Sequence, residues 1–247
     1  MKKALLFTAF SVFVSVPVLA SSQVPTWNYM GENGAHKWGE LNAEFATCKD
    51  GTEQSPINIS QYVEDNNLPA LGVAYQASPL KVQNMGNSIQ VNFDGGSRFD
   101  SDDKAYGLSN LSFHTPSEHY IDGAPYPLSG HFMHKADDGS TAIVAVVFKV
   151  GQPNPVIEGI WQNVPPVGEV KSVSGVLINP TDLFPDDKSY YTYEGSLTTP
   201  PCSEGVKWYV VKEPVEVSAK QLKAFQAVFP MNARPIQTLG DRVVKGN

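Results

Sequence analysis

Short runs of alternating apolar and polar residues, separated by glycine, proline and asparagine, make up most of this chain. Three such runs lie within residues 70–93, broken by Asn-Met-Gly-Asn at 84–87, and the pattern returns at 173–177 and 208–211. Alternation with a period of two is typical of β-strands that bury one face. The pattern therefore predicts a chain built mainly of short strands.

One run differs, because it is apolar at nearly every position. Residues 141–150 read T-A-I-V-A-V-V-F-K-V, which predicts a central strand covered on both faces. Residues 98–107, in contrast, carry several charges and are predicted to form a loop. Helical spacing is rare: residues 218–229 form the one clear amphipathic pattern, capped by Ser218, and residues 153–166 are a weaker candidate bounded by prolines.

These elements together predict the fold class. Strands outnumber helices, no internal repeat is present, and no linker of disordered composition divides the chain. We predict a mainly β (α+β) fold, with a single domain around a large, mostly antiparallel central β-sheet and small helices at its periphery. Residues 21–247 are assigned to this domain.

The first 20 residues are expected to have a different role. Lys2 and Lys3 precede an apolar run that ends in V-L-A, the small-residue pattern of a cleavage site. This arrangement predicts a secretory signal peptide over residues 1–20 and a periplasmic or secreted protein. No later run has the roughly 18 apolar residues that a membrane span needs, so no span is expected.

Composition narrows the range of partners. The chain carries 18 basic and 25 acidic residues, and loss of the two lysines with the signal peptide brings the formal charge to about −9. Nucleic-acid binding is therefore not expected, since it requires a basic surface. Cys48 and Cys202 are the only cysteines. In an oxidising compartment such a pair is expected to form a disulfide, with two free buried thiols as the alternative.

Four of the five histidines lie between His114 and His134, in a segment that predicts an antiparallel hairpin. The first strand contains N-L-S-F-H and the second L-S-G-H-F-M-H, joined by a turn rich in glycine and proline. Because side chains alternate across a strand, Ser112 and His114 are expected on one face. His131 and Met133 share a face of the second strand, and His134 lies on the other. Histidines clustered on paired strands indicate a metal site, although hydrogen bonds between neighbours would also explain them.

Four motifs, one within the hairpin and three outside it, extend the argument: Q-S-P-I-N-I at 54–59, F-H-T-P-S-E-H at 113–119, Y-E-G-S-L-T-T-P-P-C at 193–202 and N-A-R-P-I-Q at 232–237. In this order they resemble the α-class carbonic anhydrases, of a bacterial, exported type. The resemblance implies a small-molecule substrate and the reversible hydration of carbon dioxide to bicarbonate. It also implies a zinc ion that three neutral histidines hold with the fourth position open.

The chain departs from the family pattern at the metal. The family's first strand reads H-x-H, whereas this chain has Ser112 two residues before His114. His114 and His131 match two of the zinc ligands, and a neutral serine hydroxyl is a poor substitute for the third. Asn110 and Ser129 stand where the family has a glutamine and a glutamate that orient the ligands. Losses of this kind lower affinity or activity by roughly 10–100-fold.

Other matched positions bear on the reaction rather than on the metal. Asn87 stands where the family has a proton-shuttle histidine, and asparagine does not titrate near neutrality. Thr198 matches the hydroxyl that orients the attacking hydroxide, and Glu118 matches its carboxylate acceptor. His119 and His134 match histidines that are hydrogen-bonded away from the metal. The apolar wall on which carbon dioxide would rest, which ordinary core packing would also explain, matches Met133, Ile143, Leu197, Val206 and Trp208.

Three hypotheses follow from these observations. The first is an exported homologue whose eroded site binds zinc weakly or not at all, so that catalysis is weak or absent. The second is a working carbonic anhydrase in which His114, His131 and waters hold the zinc. The third is a non-catalytic binding or storage protein that uses the old cavity for another ligand. A hydrolase based on Ser112 is disfavoured, since no pair of a histidine and an acid is evident beside that serine.

Overall fold

The computed structural model describes residues 26–101 and 104–247, so the expected signal peptide at 1–20 lies outside the described residues. Strands dominate the chain. In order they are β1 (Asn58–Ile59), β2 (Val63–Glu64), β3 (Gly72–Ala74), β4 (Ser78–Asn84), β5 (Ile89–Asn92), β6 (Arg98–Ser101), β7 (Lys104–His114), β8 (Tyr120–Ile121), β9 (Ala124–Pro125), β10 (Leu128–Lys135), β11 (Thr141–Val150), β12 (Val170–Ile178), β13 (Tyr190–Ser196), β14 (Glu204–Val211), β15 (Val215–Val217) and β16 (Lys245–Gly246).

Short helices accompany the strands, and the two that the sequence predicts are present. The Oγ of Ser218 accepts a hydrogen bond from the backbone N–H of Gln221, which caps the helix predicted at 218–229. The weaker candidate at 153–166 contains a helix capped by Asn154. No helix in the described part of the chain has the length and apolar character that would let it cross a membrane. The α-helices are α1 (Trp38–Leu41), α2 (Thr47–Asp50), α3 (Pro155–Trp161) and α4 (Ala219–Val228).

One large sheet of 13 strands organises the described residues. Its main path runs β12-β4-β5-β7-β10-β11-β14-β13-β16-β2, with β6 and β3 attached beside β7 and β15 beside β11. Most neighbours are antiparallel, which confirms the predicted fold class. Parallel pairing occurs where β11 meets β14 and β15, and where β16 meets β2. A small separate sheet contains β1, β8 and β9.

Strand β11 is the central strand that its apolar sequence predicts. It lies between β10 and β14 in the sheet. Val144 and Phe148 pack into the larger core on one face, and Ile143 and Ala145 pack into a second apolar cluster on the other. A strand with both faces covered needs apolar side chains at every position, which explains why its sequence lacks alternation. The second cluster borders the cavity described below.

The prediction of a charged loop at residues 98–107 is wrong. Strand β6 pairs antiparallel with the beginning of β7, and Phe99 lies opposite Tyr106. Both aromatic side chains are buried, whereas Arg98 and Asp100 are exposed. The charges therefore occupy the outer face of an alternating strand, and their density concealed the period of two.

The predicted histidine hairpin consists of β7 and β10, which pair antiparallel. Ser112 on β7 lies directly opposite His131 on β10, and His114 lies opposite Ser129. On its other side Ser112 lies opposite Gln90 of β5. A register shift follows Met133 in β10. The pairing brings side chains from three adjacent strands onto one face of the sheet, because residues opposite each other in a sheet point to the same side.

The segment before β1 contains short helical turns and is held by aromatic packing and a disulfide. The rings of Trp27, Tyr29 and Trp38 contact one another with centroids 5.1 to 5.6 Å apart. Cys48 and Cys202 form the predicted disulfide, with their Cα atoms 5.0 Å apart. This bond joins α2 to the loop that follows β13, next to the cavity.

Candidate metal centre and cavity

A cavity of about 240 Å³ opens over the face of the sheet that carries the two paired histidines. One wall is apolar and the other is rich in neutral amides and hydroxyls. The cavity contains the predicted site positions His114, His131 and Ser112 together. Its lining residues are Trp27, Tyr29, Met85, Asn87, Ser88, Gln90, Asn110, Ser112, His114, His131, Met133, Ile143, Leu197, Thr198 and Thr199.

His114 is held in one orientation by the backbone. Its Nδ1 lies 2.9 Å from the carbonyl oxygen of Asn232. Because a carbonyl oxygen only accepts, Nδ1 carries the proton and Nε2 keeps its lone pair. The Oγ of Ser112 lies 3.2 Å from that Nε2, so the serine hydroxyl donates to it. The nitrogen that would bind a metal is thus already a hydrogen-bond acceptor.

His131 is less firmly held than His114. Its ring centroid lies 4.6 Å from that of His114. Its Nδ1 is 3.5 Å from Oε2 of Glu118, and its Nε2 is 3.5 Å from Oγ of Ser129. Both distances are longer than ordinary hydrogen bonds. Burial, with additional repulsion from the other histidines, lowers the pKa of His131 well below its ordinary value, so the ring is neutral.

Glu118 lies beneath the histidines and is fully buried. Its Oε1 accepts the backbone N–H of Arg234 at 2.8 Å. Burial raises the pKa of Glu118, while His114, the Arg234 N–H and the Thr198 side chain oppose that rise. Within the described residues its Oε2 has no hydrogen-bond partner. The Thr198 side chain is thus one of the groups that hydrogen-bond to Glu118.

The metal ligands available here are too few to form a zinc site of the three-histidine type. Ligand atoms of His114, Glu118 and His131 lie within 4.8 Å of one another, and all three residues are buried. Only two of them are imidazoles, and the third strand position is the neutral hydroxyl of Ser112. Glu118 is already engaged by Arg234 and Thr198. The residues present do not fit a tightly held zinc ion with one open position.

Asn110 and Asn87, which the sequence analysis matched to a ligand-orienting residue and a proton shuttle, make hydrogen bonds to other neighbours. The Nδ2 of Asn110 donates to Oγ of Ser109 at 3.2 Å and lies 3.7 Å from the sulfur of Met133. The Nδ2 group of Asn110 thus donates to Ser109 and not to Ser112. Asn87 lines the cavity at the expected shuttle position, and its carbonyl oxygen accepts from Asn232 at 3.0 Å.

The predicted apolar wall divides into two layers. Met133, Ile143 and Leu197 line the cavity. Val206 and Trp208 are outside the lining and pack behind it in the same apolar cluster. The indole N–H of Trp208 donates to a backbone carbonyl, and its ring lies 5.0 Å from that of His131. The second layer supports the wall and the histidine without facing the cavity.

His119 and His134 lie away from the cavity and have partners of their own. The Nε2 of His119 is 2.7 Å from the hydroxyl of Tyr193, and the Nε2 of His134 is 2.8 Å from the hydroxyl of Tyr75. Burial lowers the pKa of each histidine to about 3. Both rings are therefore neutral and serve packing.

Sequence reasoning did not single out Asn232, Trp27 or Tyr29, nor the cavity-lining residues Met85, Ser88, Gln90 and Thr199. Asn232 lies in the N-A-R-P-I-Q motif, but nothing local indicates that its carbonyl oxygen holds His114. Trp27 and Tyr29 line the cavity although they precede the hairpin by about 85 residues in the sequence. Their aromatic character in an irregular segment was the available signal, and only the tertiary fold brings them to the cavity.

Comparisons with known proteins agree with the fold and the motifs. Residues 33–247 match the model of the eukaryotic-type carbonic anhydrases. A carbonic anhydrase of Pectobacterium atrosepticum is 38% identical over 219 residues, which is 88% of this chain and 89% of that protein. The structure of the α-carbonic anhydrase from Thermovibrio ammonificans with the inhibitor sulfanilamide is similar with a TM-score of 0.86 at 41% identity, covering 89% of this chain and 98% of that one. Dioscorin complexed with ascorbate gives a TM-score of 0.84 at 29% identity, covering 90% and 98%.

Proposed function

Because this chain belongs to the eukaryotic-type (α) carbonic anhydrase family, we propose that it is an exported member whose zinc site is eroded and whose hydration of carbon dioxide is weak or absent. The observation that carries this proposal is the contact between Ser112 and His114. A serine hydroxyl stands at the expected position of a ligand and donates to Nε2 of His114. The family reaction requires zinc to lower the pKa of a bound water to about 7.

Two physical reasons make serine a poor replacement. A neutral hydroxyl does not match imidazole as a donor unless it ionises, and two imidazoles leave the ion without a third strong ligand. In addition, zinc at Nε2 of His114 must first displace the Ser112 hydrogen bond. The long contact between Ser129 and His131 adds to the loss, because it leaves the second imidazole poorly oriented.

Part of the catalytic surroundings is retained, which is why weak activity remains within the proposal. Thr198 and Glu118 are proposed to orient an attacking oxygen, with Glu118 accepting from Thr198. Met133, Ile143 and Leu197 offer an apolar surface for carbon dioxide. Asn87 lacks a proton that titrates near neutrality, so it would not relay protons from the cavity.

Export is supported by the sequence and by the disulfide. Residues 1–20 have the pattern of a signal peptide. The bond between Cys48 and Cys202 is typical of proteins that fold in an oxidising compartment. We therefore propose a periplasmic or secreted location, with residues 21–247 as the mature domain.

A non-catalytic binding protein is a second candidate, and two observations favour it. The polar wall of the cavity carries the neutral amides of Asn87, Gln90 and Asn110 and the hydroxyls of Ser112 and the threonines. Such groups hydrogen-bond to uncharged or weakly charged polar ligands. Dioscorin, which has the same fold, has been solved in complex with ascorbate. A ligand of this candidate would bind without metal.

Zinc content and hydration rate together test the proposal. We expect well under one zinc per chain by elemental analysis after dialysis, and little hydration of carbon dioxide even in saturating zinc. Thr198→Ala serves as a control, since it should remove any residual rate that arises in this cavity. Near-stoichiometric zinc with a rate that Thr198→Ala abolishes would contradict the proposal. That result would identify a working enzyme that uses His114, His131 and waters.

A further inference from the structure

A second pocket, also of about 240 Å³, lies beside the disulfide and outside the cavity over the paired histidines. Helices α1 and α2 and residues 234–237 form its walls, and none of the described residues lines both this pocket and the cavity. We call it the Arg234 pocket, after its most deeply buried charged side chain. The disulfide cysteine and the polar or charged residues that line it are His36, Glu40, Cys48, Lys49, Arg234 and Gln237.

We propose that the Arg234 pocket is an anion-binding site, which takes a small oxyanion of the carboxylate or phosphate type on the guanidinium of Arg234. This inference goes beyond the proposed function, because it needs neither zinc nor the paired histidines of β7 and β10. The occupancy of the Arg234 pocket and that of the cavity can therefore be measured independently of each other.

The guanidinium of Arg234 is a buried charge without a carboxylate partner. Arg234 is only 3% exposed. Its Nη1 donates to the carbonyl oxygen of Ser55 at 2.8 Å, and its Nη2 donates to that of Cys48 at 3.0 Å. The backbone N–H of Arg234, and not its guanidinium, donates to Glu118, and no acidic side chain among the described residues forms a salt bridge with the guanidinium. Because a buried charge is costly unless it is paired, an anion in the pocket would be stabilised there.

Hydrogen-bond donors remain on the same side chain. A guanidinium has five N–H donors in a planar fork, which matches two oxygens of a carboxylate or a phosphate. Two of the donors of Arg234 are used by backbone carbonyls, and the other three, including the one on Nε, have no acceptor among the described residues. The guanidinium carbon lies 5.7 Å from the ring of Trp38, over its face. These contacts hold the fork in place, so an anion would bind it without reorganisation of the side chain.

The rim of the pocket leaves this positive charge uncompensated. Glu40 is the one carboxylate in the lining, and its two oxygens lie 3.0 Å from Nζ of Lys49 and 3.4 Å from Nζ of Lys37. Even with the exposed Asp50 counted, this cluster holds three positive side chains and two negative ones. The whole chain is acidic, with 18 basic and 25 acidic residues, so a local excess of positive charge stands out and attracts anions.

The pocket is formed by the fold before any ligand arrives. A Cβ atom on Gly39 of α1 would lie 2.5 Å from Cβ of Lys49 on α2, so the close approach of the two helices requires glycine. The disulfide between Cys48 and Cys202 holds α2 against the loop after β13. The volume of about 240 Å³ admits a small oxyanion together with bound water.

An NMR titration of metal-stripped protein provides the first test. Sodium acetate or sodium phosphate replaces sodium chloride at constant pH and ionic strength, and the Nε–H of Arg234 and the indole N–H of Trp38 are followed. We expect both signals to shift to saturation with at least one of the two anions, with a Kd on the order of 1 mM. Acetamide, which has the shape of acetate without its charge, should shift neither signal. Shifts that grow linearly, or that centre on Trp27 in the other cavity, would overturn the proposal.

Charge reversal at the rim provides the second test, because loss of Arg234 itself would release two backbone carbonyls and disturb the fold. Lys49→Glu should weaken binding of the anion by about tenfold, since it reverses a charge at the pocket and leaves Glu40 with one lysine partner. Lys223→Glu is the matched control: it makes the same change of charge at an exposed position of α4 and should bind as the wild type does. Equal affinity in the two variants would overturn the proposal. Neither test uses zinc, so the metal content and hydration rate examine the proposed function separately.

Discussion

At the scale of single residues, Ser112 is the position on which the proposed loss of zinc depends. It lies between His131 on one neighbouring strand and Gln90 on the other. Its hydroxyl occupies Nε2 of His114 at 3.2 Å, and its small side chain leaves room in a cavity of about 240 Å³. This one position therefore sets both the number of imidazoles that face the cavity and the hydrogen-bond partner of Nε2 of His114.

Replacement of this serine should recover the metal. We expect Ser112→His to bind close to one zinc per chain, because three imidazoles would then face the same side of adjacent strands. Hydration of carbon dioxide should recover only in part, since Asn87 does not relay protons. Elemental analysis and a hydration assay in saturating zinc measure the two effects. Ser112→Ala removes the hydroxyl without adding a ligand and should gain no zinc; equal zinc in both variants would contradict the expectation.

A second substitution should strengthen the recovered site. Ser129 lies 3.5 Å from Nε2 of His131, where a carboxylate would accept a proper hydrogen bond. Adding Ser129→Glu to Ser112→His should raise zinc affinity by about 10–100-fold, the usual scale of such a partner. Competition with a chromophoric chelator measures the affinity. Ser129→Gln in the same background is the matched control, because it has similar size without charge and should give a smaller gain.

At the scale of elements, local pattern predicted most of the sheet but not its register. The period of two identified the strands on either side of the hairpin, and the apolar run identified β11 as central. Pairing between β5 and β7 is not encoded locally, so the position of Gln90 beside Ser112 was missed. The same holds for Asn232, whose contact with His114 spans 118 residues. Residues 98–107 were misassigned because exposed charges on a strand resemble a loop when the partner strand is unknown.

The two predicted helices are joined at their N-termini by one buried glutamine. The Oε1 of Gln221 accepts from the backbone N–H of both Ser218 and Asn154, and its Nε2 donates to the carbonyl oxygen of Asn154 at 2.7 Å. Gln221 is 2% exposed, so these partners would be left unsatisfied without it. The arrangement couples the stability of α3 to that of α4.

We expect Gln221→Ala to destabilise the protein by about 2–3 kcal/mol, because buried backbone groups of both helices lose their partner. Ser218→Ala should cost about 1 kcal/mol, the usual effect of a lost N-cap. Urea denaturation measures both values. Lys220→Ala is the control, since Lys220 is exposed in the same turn and its loss should change little. A cost for Gln221→Ala no greater than that of the control would show that the coupling is unimportant.

At the scale of the whole molecule, the disulfide ties the irregular N-terminal segment to the cavity. It closes a loop with a sequence separation of 154 residues, and Cys202 follows Thr198 and Thr199 of the cavity lining by a few residues. The same segment brings Trp27 and Tyr29 to the cavity lining. The sequence predicted the bond, whereas its effect on the shape of the cavity depends on the tertiary fold.

Removal of this disulfide should therefore lower the free energy of unfolding. We expect a Cys48→Ala, Cys202→Ala double variant to lose about 5 kcal/mol of unfolding free energy, as loop closure over this separation implies. Denaturation in urea measures the loss. The wild-type protein under strong reductant should approach the same value. A double variant as stable as the wild type would contradict the estimate.

Acid should destabilise the protein through its buried neutral histidines. Burial lowers the pKa of His134 to about 3 in the folded chain, whereas an unfolded histidine titrates near 6.5. Between these values only the unfolded state binds the proton, so the stability present above pH 6.5 is lost as the pH falls. The loss is about 1.4 kcal/mol per pH unit for such a histidine, or about 2 kcal/mol at pH 5. His119 contributes in the same direction.

The variant His134→Gln isolates this contribution. Its side chain remains neutral and can still accept from the hydroxyl of Tyr75, which is the partner of His134 in the wild type. We expect its free energy of unfolding, measured in urea between pH 7 and pH 5, to fall less steeply than that of the wild type, by about 1.4 kcal/mol per pH unit at full effect. His36→Gln is the control, because His36 is exposed, and it should retain the wild-type slope. If His134→Gln and the wild type lose stability in parallel, His134 is not protonated on unfolding in this range, and the acid sensitivity arises from other buried groups.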